Sequence, residues 1–181
     1  MYKLFHLTVI FLLSMISLQA QEISASDMDA LNKKAEELRN ELNKKAYGND
    51  FEKLTSVQFA VDTFKIERLL AMKFESDYST NGMSQAMSDA EAEYDVLLNK
   101  YYKLLMSKLN EEDKEVLKQA QRTWIAYRDA ERKLRVTITL PQYSGGGTMY
   151  NLYVADDYLQ ITRKRVLELY EMISRFYEYG Y

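Results

Sequence analysis

The chain has 181 residues with no cysteine, one proline and a single histidine, His6. Those counts exclude thiol nucleophiles, Cys/His zinc sites, internal disulfides and, beyond residue 6, any histidine base or Ser-His-Asp constellation. A net charge of −3 does not supply the concentrated basic face that nucleic-acid binding needs, and the length suits a single core.

Residues 1–20 read as a secretion signal. Lys3 gives a short positive start, residues 7–18 are almost unbroken apolar sequence, and Ala20 offers a small residue before Gln21. This run is well short of the roughly 20 residues a spanning helix needs. The expectation is therefore an exported chain, periplasmic or secreted, with no membrane span after cleavage. No cysteine follows the cleavage point, so lipid tethering by that route is excluded.

Few glycines, one proline and abundant Leu, Glu, Lys, Ala and Met favour helix throughout. Ser26 with Asp29 resembles an N-cap pair, which predicts a charged helix over 27–47 carrying a thin stripe of Met28, Leu31, Ala35, Leu38 and Leu42. Val57, Phe59 and Val61 alternate like a strand, so 51–62 stays open, while 63–76 reads as helix. Met83, Met87, Ala90, Tyr94, Leu97, Tyr101 and Leu104 recur at steps of four and three and predict a long helix over 81–109. Asn110 and Asp113 can cap a second helix over 111–137, with Leu117, Ala120, Trp124, Tyr127 and Leu134 in the same spacing. The two form an expected antiparallel hairpin. Pro141 ends it, residues 145–147 are three glycines, and Thr148 opens a last long helix bearing Leu152, Ala155, Leu159, Val166, Leu169, Ile173 and Phe176. The fold class expected is an all-α antiparallel bundle, because each stripe needs another to bury it.

Little chemistry is carried on this frame. Asp156, Asp157, Glu168 and Glu171 share one helix but have no histidine to complete a bundle metal site, and they read as a solvated acidic face; no metal or cofactor is expected. The glycine loop lacks the Lys-Ser or Lys-Thr of a phosphate loop. It is either a connector or, with Tyr143, Ser144, Gly146, Thr148 and Tyr150, a finger for a partner's cleft. Of 15 tyrosines, eight lie between Tyr143 and Tyr181, and tyrosine is favoured at binding surfaces. Tyr94, Tyr101 and Tyr127 fall on seam positions and are expected in the core. Arg128 can hold Asp95 or Asp129 in a structural pair.

The run Asp95-Val96-Leu97-Leu98-Asn99-Lys100-Tyr101-Tyr102, followed by Gln119-Ala120-Gln121-Arg122-Thr123-Trp124-Ile125-Ala126-Tyr127-Arg128-Asp129-Ala130-Glu131, resembles the helical domain named after the lysozyme inhibitor LprI. The glycine loop and Thr162-Arg163-Lys164-Arg165 ahead of Glu168-Leu169 also find counterparts there. The resemblance covers about 80–172 and divides the chain into a signal (1–20), an N-terminal helical extension (21–79) and the LprI-like domain (80–181). It implies a secreted helical protein that binds and blocks lysozyme. With no cysteine, and no histidine beyond His6, for catalysis, the reading adopted is an exported, non-enzymatic binding protein that occludes the cleft of a lysozyme-type muramidase, and the other reading is a structural or interaction component of the envelope. For cleft occlusion the loop residues themselves give the expected contact set, Tyr143, Ser144, Gly146, Thr148 and Tyr150, with Arg132 or Arg135 for charge, and the expected structural set is Asp95, Asn99, Trp124, Tyr127, Arg128 and Asp129. Family members usually carry cysteines at places held here by Ala86, Arg132 and Asp157, which implies a bundle held by packing, with Ala86 opposite Arg132.

Overall fold

A computed structural model describes residues 23–177, so the expected secretion signal lies outside the described residues. Among those described, every regular element is a helix: α1 (Ala25–Leu42), α2 (Asp50–Ser76), α3 (Thr80–Ser107), α4 (Glu111–Ile138), the short α5 (Pro141–Ser144) and α6 (Met149–Ser174).

The helix starts follow local capping. Ser24 and Asp27 close a reciprocal capping box at α1, two residues before the expected Ser26 and Asp29. The helix also stops at Leu42 instead of 47, where the Tyr47 hydroxyl donates to the Leu42 carbonyl at 3.0 Å. Asn49, Ser79 and Asn110 each accept a backbone N–H three residues on. Asn110 with Asp113 is the expected pair.

The strand-like alternation at 57–61 belongs to a helix. Val57 and Val61 stand one turn apart and pack with Ala35 of α1. Phe59 points the other way, stacked on Tyr170 of α6 at 3.8 Å between ring centroids and edge-on to Tyr101 of α3 at 5.3 Å. A helix clamped between two apolar neighbours needs apolar residues on opposite faces, and over a few residues that imitates a period of two.

The α3 stripe is buried as its spacing requires: Ala86, Ala90, Tyr94, Leu97, Leu98, Tyr101 and Leu105. Its main partner is α6, however, and then α2; α4 docks mostly on α6, and α1 lies on α2. The expected seam between α3 and α4 is therefore corrected. α3 and α6 run parallel, with Glu91 level with Thr162 and Tyr101 level with Tyr170, and the core is centred on Tyr101, Leu159, Val166, Leu169 and Ile173. On α4 only Leu117 and Gln121 are buried. Ala120, Tyr127 (55% exposed) and Leu134 (51% exposed), all expected in the seam, face solvent. The physical reason is that α6 already fills the groove of α3, so α4 meets the bundle through its polar, arginine-bearing side.

Truncation should separate the two faces. Leu169→Ala, at a fully buried site, is expected to cost about 2–5 kcal/mol in urea unfolding, whereas Tyr127→Ala should stay within about 0.5 kcal/mol of the parent.

The core tyrosines also set an alkaline limit. Burial, partly offset by the Ser56 hydrogen bond and reinforced by Tyr177, leaves Tyr170 pushed up to about 12. Burial also raises Tyr94 beside Glu67 and Tyr101 beside Asp62. A raised folded value means that the neutral form stabilises the fold. The tyrosines' contribution to stability should be constant up to the ordinary tyrosine value of 10.0 and fall as pH rises beyond it. Urea midpoints measured across that range, with tyrosinate absorbance as the second signal, check this.

Candidate binding surfaces

The aromatic and polar stretch of α4 forms one connected network with α3 and α6. Gln121 accepts from both Nε and Nη2 of buried Arg165 at 3.2 and 3.1 Å, and Arg165 pairs with Glu168 at 3.1 Å. The Trp124 ring has the Arg165 and Arg128 guanidinium groups 5.6 and 5.4 Å from its centroid, close enough for cation–π attraction. Arg128 reaches both acids expected of it, Asp129 at 2.8 Å and Asp95 at 3.9 Å. Asn99 donates to the Asp95 carbonyl at 2.8 Å and to its carboxylate at 3.3 Å. Of the expected structural set, Asp95, Asn99, Trp124, Arg128 and Asp129 thus come together, while Tyr127 turns outward on the opposite face.

Farther along α4, Arg132 spans three helices. It donates to Glu91 of α3 at 2.5 Å and to Thr162 of α6 at 3.3 Å, while Thr162 donates to the same Glu91 carboxylate at 2.9 Å. The Tyr158 hydroxyl donates to the Arg132 carbonyl at 3.2 Å, and Arg135 pairs with Asp157 at 2.9 Å. Arg132 is therefore occupied inside the bundle and is not joined to the loop as a free charge. The contacts of Arg132 with Glu91 and Arg128 with Asp95 fix the register. Ala86 instead shares a small cavity with Ile66 and Leu70 of α2, so the expected Ala86–Arg132 apposition does not form.

The loop end is internally braced. Gly145, Gly146 and Gly147 have φ of 79°, 80° and 129°, a region that L side chains rarely enter. Gly145 closes α5, and its N–H donates to the Pro141 carbonyl at 2.9 Å. Ser144 donates to the Thr139 carbonyl at 2.8 Å and accepts the Gly146 N–H at 3.1 Å; the Tyr150 hydroxyl donates to the Ser144 carbonyl at 2.8 Å. Ser144, Gly146 and Tyr150 therefore hold the loop, whereas Tyr143 (69% exposed) and Thr148 face solvent. Leu140, Met149 and Tyr153 are exposed beside them and were missed, because an apolar residue near a helix end carries no local sign of whether it is covered. The Gln121–Arg165 pair was missed for another reason: sequence does not say which helix α4 meets.

Among the described residues no group of three or more His, Asp or Glu side chains is arranged to hold a metal, and no helix is long and apolar enough to cross a membrane. These features define a helical domain organised by polar contacts from one face of α4. The chain belongs to the family described as lysozyme inhibitor LprI, whose model matches residues 71–169, from the last turns of α2 through most of α6. An uncharacterised protein of Rhizobium meliloti (strain 1021) is 34% identical over 93 residues, covering 44% of this chain and 63% of the relative, less than two thirds of its length. No solved structure matches the chain.

Gln121→Leu should lower stability by about 1–3 kcal/mol, since it leaves Nε and Nη2 of the buried Arg165 without their acceptor while Nη1 keeps Glu168. Adding Arg165→Met is expected to restore part of the loss, and a strictly additive double-mutant cycle in urea would count against this pairing.

Proposed function

We propose that this chain is an exported, non-enzymatic inhibitor of a lysozyme-type muramidase, and that its loop end, residues 139–153, enters the enzyme's cleft. The family description, lysozyme inhibitor, supports the activity. The observation that carries the choice of surface is the braced loop with Tyr143, Met149 and Tyr153 exposed around it. A projection already ordered by internal hydrogen bonds loses less entropy on binding. A muramidase cleft presents two carboxylates, for which the hydroxyls of Tyr143 and Thr148 and the loop N–H groups are donors. The net charge of −3 favours encounter with a basic enzyme. In this reading residues 21–79 are an extension that completes the bundle. Leu31 and Ala35 of α1 are buried on α2, so α1 does not offer its apolar stripe to a partner, whereas the loop end stays open.

A second reading, an interaction component of the envelope, draws on one observation: Val116 (67% exposed), Ala120, Thr123 and Tyr127 form an open stripe on α4. A lysis assay with residues 21–181 separates the two. Inhibition should weaken about tenfold or more in Tyr143→Ala/Tyr153→Ala, consistent with loss of aromatic anchors, and should be unchanged in Tyr127→Ala. Undiminished lysis at high molar excess, across muramidases of different origin, would sink the inhibitor reading.

A further inference from the structure

The groove between α3 and α4 is a second concavity, distinct from the loop end, with a volume of about 510 Å³, within the range of small-molecule sites. It exists because long polar side chains, not a close apolar seam, connect these two helices. Its apolar surface comes from Leu98 and Tyr102 on α3 and from Trp124 and Ile125 on α4. Three cations, Lys118, Arg122 and Arg128, line it against a single carboxylate, Asp95. Asp95 is already engaged by Asn99 and Arg128, Lys118 is paired with Glu115, and Arg128 with Asp129. Arg122 has no ion-pair partner among the described residues. Once Glu115 and Asp129 are counted with Asp95, the formal charges around the rim balance, and Arg122 is the cation on it left uncommitted.

We propose that the groove binds a carboxylate carried on a small apolar body, such as the C-terminal end of a short peptide with an apolar last residue. Arg122 takes the carboxylate, for which its planar fork offers two parallel N–H donors. The apolar side chain lies against Leu98, Tyr102 and Ile125. This site is independent of the loop end and of muramidase inhibition.

Trp124 is the only tryptophan in the chain and lines the groove, so its fluorescence reports occupancy directly. The test titrates the exported chain with acetyl-alanyl-leucine as the free acid, and in parallel with its amide. A saturable change is expected with the acid, and binding should be about tenfold or more weaker both for the amide and for the acid with R122Q, an exposed substitution whose folding is checked by circular dichroism. Equal binding of acid and amide would show that charge is not read. Affinity unchanged in R122Q, or no saturable change with the acid at millimolar concentration, would equally overturn the proposal.

Discussion

Tyr101 is the point at which three helices of this bundle are tied together. Its ring lies 1% exposed on α3, edge-on to Phe59 of α2 and to Tyr170 of α6, and its hydroxyl donates toward Asp62, which also takes the Lys100 ammonium. Aromatic pairs of this kind add to simple area burial. With no cysteine in the chain, nothing covalent limits the unfolded state, so the α2–α3–α6 core must hold the fold by packing. The remaining helices are arranged around that constraint.

Once α6 has filled the groove of α3, α4 has little apolar seam left to occupy and reaches the core through Leu117 and half-buried Trp124. It is held by directional contacts instead: Gln121 to Arg165, Arg132 to Glu91 and Thr162, and Arg135 to Asp157. Arg132 and Asp157 stand where the family resemblance implies cysteines, and here both join α4 to its neighbours through ion pairs. Contacts of this type specify register more than they stabilise. They also leave a groove on one side of α4, with Arg122, unpaired among the described residues, on its rim, and an open apolar stripe on the other.

The loop end follows a different logic. Three glycines would form a loose tether by themselves, yet Ser144 and Tyr150 turn inward and Pro141 starts a short helix, so the residues first read as contacts are divided between brace and surface. What faces outward is Tyr143 with Leu140, Met149 and Tyr153. Their exposure follows from the brace, because a loop pinned from within has no inward position left for them.

The sequence by itself determined the helical class, the α3 stripe, the Asn110 cap, the break at Pro141 and the family. Each of these depends on local spacing or on a short-range hydrogen bond. Only the tertiary structure decided which stripes meet. The seam spacing of α4 is as regular as that of α3, yet Ala120, Tyr127 and Leu134 of α4 are exposed while the α3 stripe is covered, since periodicity records that a face is apolar and not what covers it. The same holds for Val57, Phe59 and Val61, which serve two neighbours of one helix, and for Arg132, whose partners Glu91 and Thr162 lie far away in the chain. Which helix fills a groove first is a competition settled by the whole chain, and no local pattern contains its outcome.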